Sequence, residues 1–452
     1  MKMTIADHFT LSKILRFALP SMVMMVFTSL YTIVDGLAVS NLVGDQAFSS
    51  LNLIWPAVGM LGAFGFMIGS GGNALISKTL GEGKQQLACE YFSMLIVFEV
   101  LVGIVVAAVT LVFLEPISRL LGATDELMAD CILYGAPLIA VQAFFFLHTS
   151  FQSFLVTAGK QKLGLAITLF GGISNMVLDF ALIGWGHMGI FGAAAATAIN
   201  WITSSIIPLI WFFRHKEAPI HFVRFSWRLK ALGQSCFNGM SEMVTNLSAS
   251  FVLMLYNGQL MRLIGSDGVN AYGVIQYITF LCTAVFFGCT MSVGPCIGYQ
   301  YGAQNHKELK NLLGISMKIT IVGSLLVFAG AEVFARQLSM VFVSYSPTLM
   351  NLTIHAIRIY AFSFLFTGFN ILMSGFFTSL NNGVVSAILS LTRTFFFQTA
   401  CILGLPFLFK LEGVWVASPV AEGLSAIVAF WYLWKMNPRY GYWDRPHGKA
   451  LE

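Results

Sequence analysis

Asp179 and Asn175 lie one helical turn apart in an apolar run that begins near Gly164, so both side chains fall on one helix face. A charge at the centre of a bilayer costs about 2.5–3.5 kcal/mol even on insertion scales. A carboxylate in such a run therefore needs a polar partner or an inward-facing role. Two chemistries fit: a structural polar pair joining two helices, or a site that binds a substrate or a cation. Asp35 poses the same question in the first apolar run, where Thr28, Thr32 and Asp35 form one stripe. Taken alone, Asp35 also reads as an interfacial helix cap. Tyr134 alone reads as an aromatic-belt residue, and Thr197 adds a hydroxyl in a run of alanines.

The elements that must position these residues follow from composition. The chain has 452 residues, of which 57% are hydrophobic and 10% charged, which excludes an ordinary soluble domain. Apolar runs long enough to cross about 30 Å of hydrocarbon recur along it, and alternating strand patterns are absent. The fold class is an all-α integral membrane protein. Twelve spans are predicted, at 14–39, 48–72, 91–115, 131–156, 164–184, 189–213, 232–262, 270–297, 312–336, 353–380, 384–409 and 413–435. The first is too long for a signal peptide and lacks a small-residue cleavage site. Seven cysteines are scattered in apolar sequence, and Cys282, Cys289 and Cys296 recur every seventh residue as helix-packing positions rather than as metal or disulfide ligands.

Basic residues set the expected orientation. Nineteen of the 25 Lys and Arg residues lie in or beside the termini and the even-numbered loops, including Arg214, Lys216, Arg224, Arg228 and Lys230. The odd-numbered loops hold Arg119, Arg262, Arg336 and Lys410, and Arg358 and Arg393 fall within spans. The positive-inside rule then places both termini in the cytoplasm of a multi-pass protein of the plasma (inner) membrane. The long polar interruption divides the chain into a six-helix lobe (1–213), a cytoplasmic linker (214–231), a second six-helix lobe (232–435) and a cytoplasmic tail (436–452). Sliding the lobes by about 221 residues aligns related text: 36–52 with 257–273, and 76–86 with 297–307, bringing Gly81 onto Gly302. This is the pattern of two lobes in parallel repeat.

With that orientation, Asp35, Tyr134, Asp179 and Thr197 all fall roughly 5–12 Å below the outer boundary at 1.5 Å per residue. They make one polar layer on four helices of the first lobe. Two carboxylates in a poorly hydrated layer resist ionising together, which suits a site that trades a cation. Pro20 removes a backbone hydrogen bond from the first helix and marks either a bend or an ordinary first-turn proline. In the second lobe, Glu242, Arg393 and Glu422 are the candidates, with Arg393 and Glu422 at matching depth as an expected ion pair. Glu99 and Glu332 are isolated in sequence and carry no assignment. No phosphate-binding loop, nucleophile–base pair, pore-loop filter or metal-spaced His/Cys cluster occurs, so an enzyme, a channel and direct use of ATP are not expected.

The proline in FALPSM (17–22), TIVDG (32–36), N-x-x-x-D (175–179) and G-I-x-G-A-A-x-A-T (189–197), set in twelve spans and two lobes, resemble the multidrug and toxic compound extrusion (MATE) family over nearly the whole chain. That resemblance implies a secondary antiporter exporting amphipathic, cationic organic compounds in exchange for H⁺ or Na⁺ by alternating access. It implies cation or substrate roles for Asp35, Asp179, Asn175, Tyr134 and Thr197, and a hinge at Pro20. Some members pair a seventh-helix glutamate, near Glu242 here, with a tenth-helix aspartate. The tenth span of this chain has no acid, which favours H⁺ over Na⁺, although Asp35 and Asp179 suit either. A lipid-linked precursor flippase on a related fold is the alternative, but it should carry several basic residues inside its cavity. No cofactor, resident metal or nucleic-acid partner is expected; the partners are small organic molecules and membrane lipid, and the protein should be a monomer. Topology is open to direct test. Cysteines introduced into the 214–231 loop should resist an impermeant reagent added outside intact cells, and labelling from outside would reverse the orientation.

Overall fold

The computed structural model describes residues 4–343 and 346–443; the end of the expected tail, 444–452, lies outside the described residues. Those residues form helices and loops without a strand. Twelve membrane helices can be counted among them. The first lobe comprises α1 (Leu11–Leu42), α2 (Asp45–Gly81), α3 (Gln85–Val112), α4 (Asp125–Ala140 with Gln142–Thr157), α5 (Gln161–Trp185) and α6 (Gly189–Arg214). The second comprises α7 (Leu229–Ile264), α8 (Ser266–Gly302), α9 (His306–Val343), α10 (Pro347–Ala361 with Phe364–Ser379), α11 (383–409) and α12 (411–440). Lys410, at φ 49°, breaks the backbone between the last two.

Two spans expected to be continuous are broken. α4 bends by 57° around Val141 and α10 by 47° around Phe362. In α4, Pro137 withholds an amide one turn before the break. No proline lies at the break in α10, so its bend is not readable from local chemistry. The breaks are repeat-equivalent, about 221 residues apart. Other backbone features keep the same offset: Gly44 (φ 122°) and Gly265 (φ 72°) start α2 and α8, and Gly83 (φ 76°) and Gln304 (φ 56°) turn out of them. The two lobes are thus parallel repeats in backbone even where side chains differ.

Contacts between the lobes lie on the side that bears both chain ends. A Cβ on Gly71 of α2 would stand 2.1 Å from the Ser235 carbonyl oxygen of α7, and one on Gly239 of α7 would stand 1.9 Å from the Met67 oxygen. Near the helix ends, a Cβ on Gly81 would meet the Tyr299 oxygen at 2.0 Å, and one on Gly302 the Lys78 oxygen at 2.0 Å. Only a missing side chain lets backbones approach so closely. One apolar core there combines residues of both lobes, such as Phe92, Phe151, Phe376 and Leu433. Farther from the termini each lobe has its own core, around Tyr134 and Trp201 in the first and around Tyr256 and Trp415 in the second.

The segment before α1 adds to the joined side. Phe9 is buried, its amide donates to Glu308 Oε1 at 2.9 Å, and Asn311 of α9 donates to its carbonyl at 2.7 Å. The linker lies along α3, where Arg228 meets Glu90 at 3.1 Å and the Val223 amide donates to Ser93 at 3.0 Å. All seven cysteines are free. These crossings give a stability prediction. Gly239→Ala should lower thermal stability in detergent by about 1–3 kcal/mol equivalent, the range of an overpacked contact. Gly258→Ala, with nothing within 4 Å of its Cβ, should leave stability unchanged or raise it.

Candidate functional site

The first lobe gathers the polar residues of α1, α4, α5 and α6 into one buried group. Asp35 and Asp179 are 7% and 1% exposed, and their carboxyl groups lie within interacting range of each other. Asp35 Oδ1 and both Asp179 oxygens are buried without a hydrogen-bond partner. Asn175 Nδ2 donates to Thr197 Oγ1 at 3.4 Å, tying α5 to α6. Tyr134 is fully buried, its hydroxyl unpartnered and within electrostatic reach of both aspartates. The aromatic-belt reading of Tyr134 therefore fails. So does the interfacial-cap reading of Asp35, because α1 continues to Leu42.

Two members of this group were not singled out from sequence. Tyr31 sits beside Asp35 with Asn200 in hydrogen-bonding reach of its hydroxyl. The available signal was spacing: Tyr31 is one turn before Asp35, and Asn200 nearly one turn after Thr197. Glycines let them in, since a Cβ on Gly172 would stand 2.9 Å from Tyr31 and one on Gly171 2.3 Å from Asn200 Oδ1. A widened π turn at Phe180–Trp185 follows Asp179 directly, and such turns recur at functional sites. Pro20 lies inside α1, which is uninterrupted. Thr28 and Thr32 donate to their own helix carbonyls, Met24 and Thr28, at 3.0 and 2.9 Å.

The second lobe is polar in a different way. Arg393 Nε lies 2.9 and 3.1 Å from the two Glu422 oxygens, and Asn370 of α10 donates to Glu422 Oε2 at 2.6 Å. Arg393 falls in a second π turn, Thr392–Phe397. Glu332 is not isolated, because Arg358 approaches it at 4.0 Å. Glu242 is outside the Arg393–Glu422 ion pair but within electrostatic reach of Arg393; it lines a cavity of about 260 Å³ between the lobes. The cavity is walled by Met25, Phe66, Phe280, Phe287 and Met291, with Thr28, Asn73, Thr149 and Asn246 among its polar groups. Glu242 is the one ionisable residue lining it among those described.

Chemically, the first-lobe group offers carboxylate, amide and hydroxyl oxygens, the donor set of a proton or a hard cation. The cavity offers apolar walls with one acid. Two six-helix repeats around a shared cavity, with two carboxylates that lack counterions buried in the first, define a two-lobe membrane transporter.

The MatE protein-family model matches residues 20–181 and 242–401, and the chain belongs to the MATE family of efflux transporters. It is 25% identical over 435 residues to the multidrug export protein MepA of Staphylococcus haemolyticus, covering 94% of this chain and 93% of that protein. It is 23% identical over 431 residues to MepA of Staphylococcus aureus, covering 94% of each. Its fold is similar to the outward-facing conformation of a multidrug resistance MATE family transporter of the MOP superfamily, with TM-score 0.90, 24% identity, and coverage of 96% of this chain and 97% of that one.

The Arg393–Glu422 pair yields a double-mutant prediction. Arg393→Met or Glu422→Gln alone strands a buried charge and should cost about 3–5 kcal/mol, read as loss of folded protein and lower Tm. The double variant should recover much of that loss. Equal losses in all three would mean the two side chains are not coupled.

Proposed function

We propose that this protein exports amphipathic, cationic organic compounds in exchange for an inward-moving cation, by alternating access of its two lobes. The observation that carries this reading is the inter-lobe cavity with apolar and aromatic walls and Glu242 as its single acid. A lipophilic cation would bury its apolar body against Phe280, Phe287 and Met291 and place its charge near Glu242. A pyrophosphate-bearing lipid would meet no lining Lys or Arg there, which weighs against a flippase. The MepA relatives are multidrug export proteins, which points the same way.

The coupling site in this reading is the first-lobe group. Asp35 and Asp179 confront each other at hydrogen-bonding range, with three of their four oxygens buried and otherwise unpartnered, and a proton or a sodium ion would relieve that confrontation. Asn175, Thr197, Tyr134 and Tyr31 would hold the pair and report its charge to α1 and α6. With the basic side cytoplasmic, the joined side seals the cell interior and the cavity faces outward. A cation entering down 100 mV then supplies about 2.3 kcal/mol per charge. Pro20, in the half of α1 nearest the joined side, is the hinge candidate.

Dye efflux from inverted vesicles, with ΔpH and ΔNa⁺ imposed separately, tests the proposal. Asp179→Asn and Asp35→Asn should each reduce gradient-driven efflux to the level of vesicles without the protein, while folded protein still reaches the membrane. Full efflux by Asp179→Asn under both gradients would leave that aspartate a structural role only.

A further inference from the structure

Glu99, midway along α3, belongs to neither site. It is fully buried and enters no ion pair among the described residues. One hydrogen bond reaches its carboxyl, from Ser150 of α4 to Oε2 at 2.8 Å, while Oε1 is buried with no partner. Its surroundings mark it as a boundary residue between the lobes. Leu95 precedes Glu99 by one turn on the same face of α3, and Leu95 and Ser235 of α7 converge on Gly72 of α2. A Cβ on Gly72 would stand 2.7 Å from Leu95 Cδ1 and 3.3 Å from Ser235 Oγ. Ser150 is pressed against Gly69 of α2, whose Cβ would stand 2.9 Å from the Ser150 Cα. The Ser235 hydroxyl is buried without a partner, and neighbouring Cys236 is within electrostatic reach of the Glu99 carboxyl.

The titratable groups on the packed elements leave Glu99 without a countercharge. Cys236 is the one that faces it from α7. His148 of α4 is bonded to Gln152, and Lys78 of α2 pairs with Glu82. From the linker, Arg228 and His221 meet Glu90 and Cys89, more than two turns back along α3. A carboxylate ion at Glu99 would thus have one hydroxyl donor and no cationic side chain beside it among the described residues, a costly state for a buried charge. The neutral acid fits, because protonation removes the charge from a carboxyl that has a single hydroxyl donor.

We propose that Glu99 is a proton-binding site of the lobe boundary, loaded when the lobes close on the terminus-bearing side and emptied when they part there. The proposal rests on the alternating-access reading. The closed state binds one more proton than the parted state, so acid on that side drives closure and alkali favours parting. The proton enters from and returns to the same side. It therefore leaves the exchange ratio of the first-lobe site unchanged and makes turnover respond to pH on the terminus-bearing side.

Spin labels at Glu82→Cys and Ala303→Cys, on the ends of α2 and α8, report the two populations. The full chain would carry them in nanodiscs with its seven native cysteines replaced, over an acid-to-alkaline series. Glu99→Gln should raise the closed population and flatten its pH dependence by up to one proton, about tenfold per pH unit. Glu99→Asp should keep the dependence with a displaced midpoint. An unchanged slope in Glu99→Gln overturns the inference even if the populations move, because packing alone shifts a balance without altering its proton count. Should Glu99→Gln fail to fold, an unchanged midpoint in Glu99→Asp overturns it equally. Two populations with an unaltered slope leave alternating access standing; a single population at every pH in every variant overturns both readings.

Discussion

The structure depends on a backbone contact that four glycines permit. Gly71 and Gly239, then Gly81 and Gly302, bring α2 within touching distance of α7 and α8. Any side chain there would push the lobes apart, and the shared apolar core around them would lose its fit. Because the lobes are joined on that side, the space between them lies farther along the helices, where each lobe keeps a separate core. The cavity and its single acid are the remainder left by that one-sided union.

The two lobes share a backbone plan and differ in how they treat buried polarity. In the second, Arg393 and Glu422 neutralise each other and Asn370 donates to the carboxylate, so the ion pair is electrically closed. In the first, Asp35, Asp179 and Tyr134 keep buried atoms without partners. Unpartnered polar atoms in a dry interior are costly, and a visiting cation or proton is the natural relief. The contrast assigns scaffolding chemistry to one lobe and exchange chemistry to the other under the proposed mechanism.

Much of this was legible in the residues. Long apolar runs located the twelve helices, and the one-turn spacing of Asn175 and Asp179 announced a polar face. The match of Gly81 with Gly302 announced the repeat, which the turns at Gly44 and Gly265 carry further in the backbone. What stayed hidden depends on neighbouring helices. Periodicity shows which face a residue occupies, not what packs against it, so Tyr31 and Asn200 were passed over. Glu332 looked alone although Arg358 lies on the adjoining α10. The bend of α10 has no proline to betray it; only its repeat partner α4, which has Pro137, gives a local cause.

The core shared by both lobes has a kinetic meaning. Packed interiors resist stretching; they hold one arrangement or yield to another. A bundle stitched on one side by Phe92, Phe151, Phe376 and their neighbours cannot slide gradually into its opposite form. Under the proposed alternating access it would unpack abruptly, as a latch springs, with a half-released shape too unfavourable to linger. Under the proposed ion-coupled exchange, that brevity would insulate the membrane, because a passage open at both ends would short-circuit the gradient.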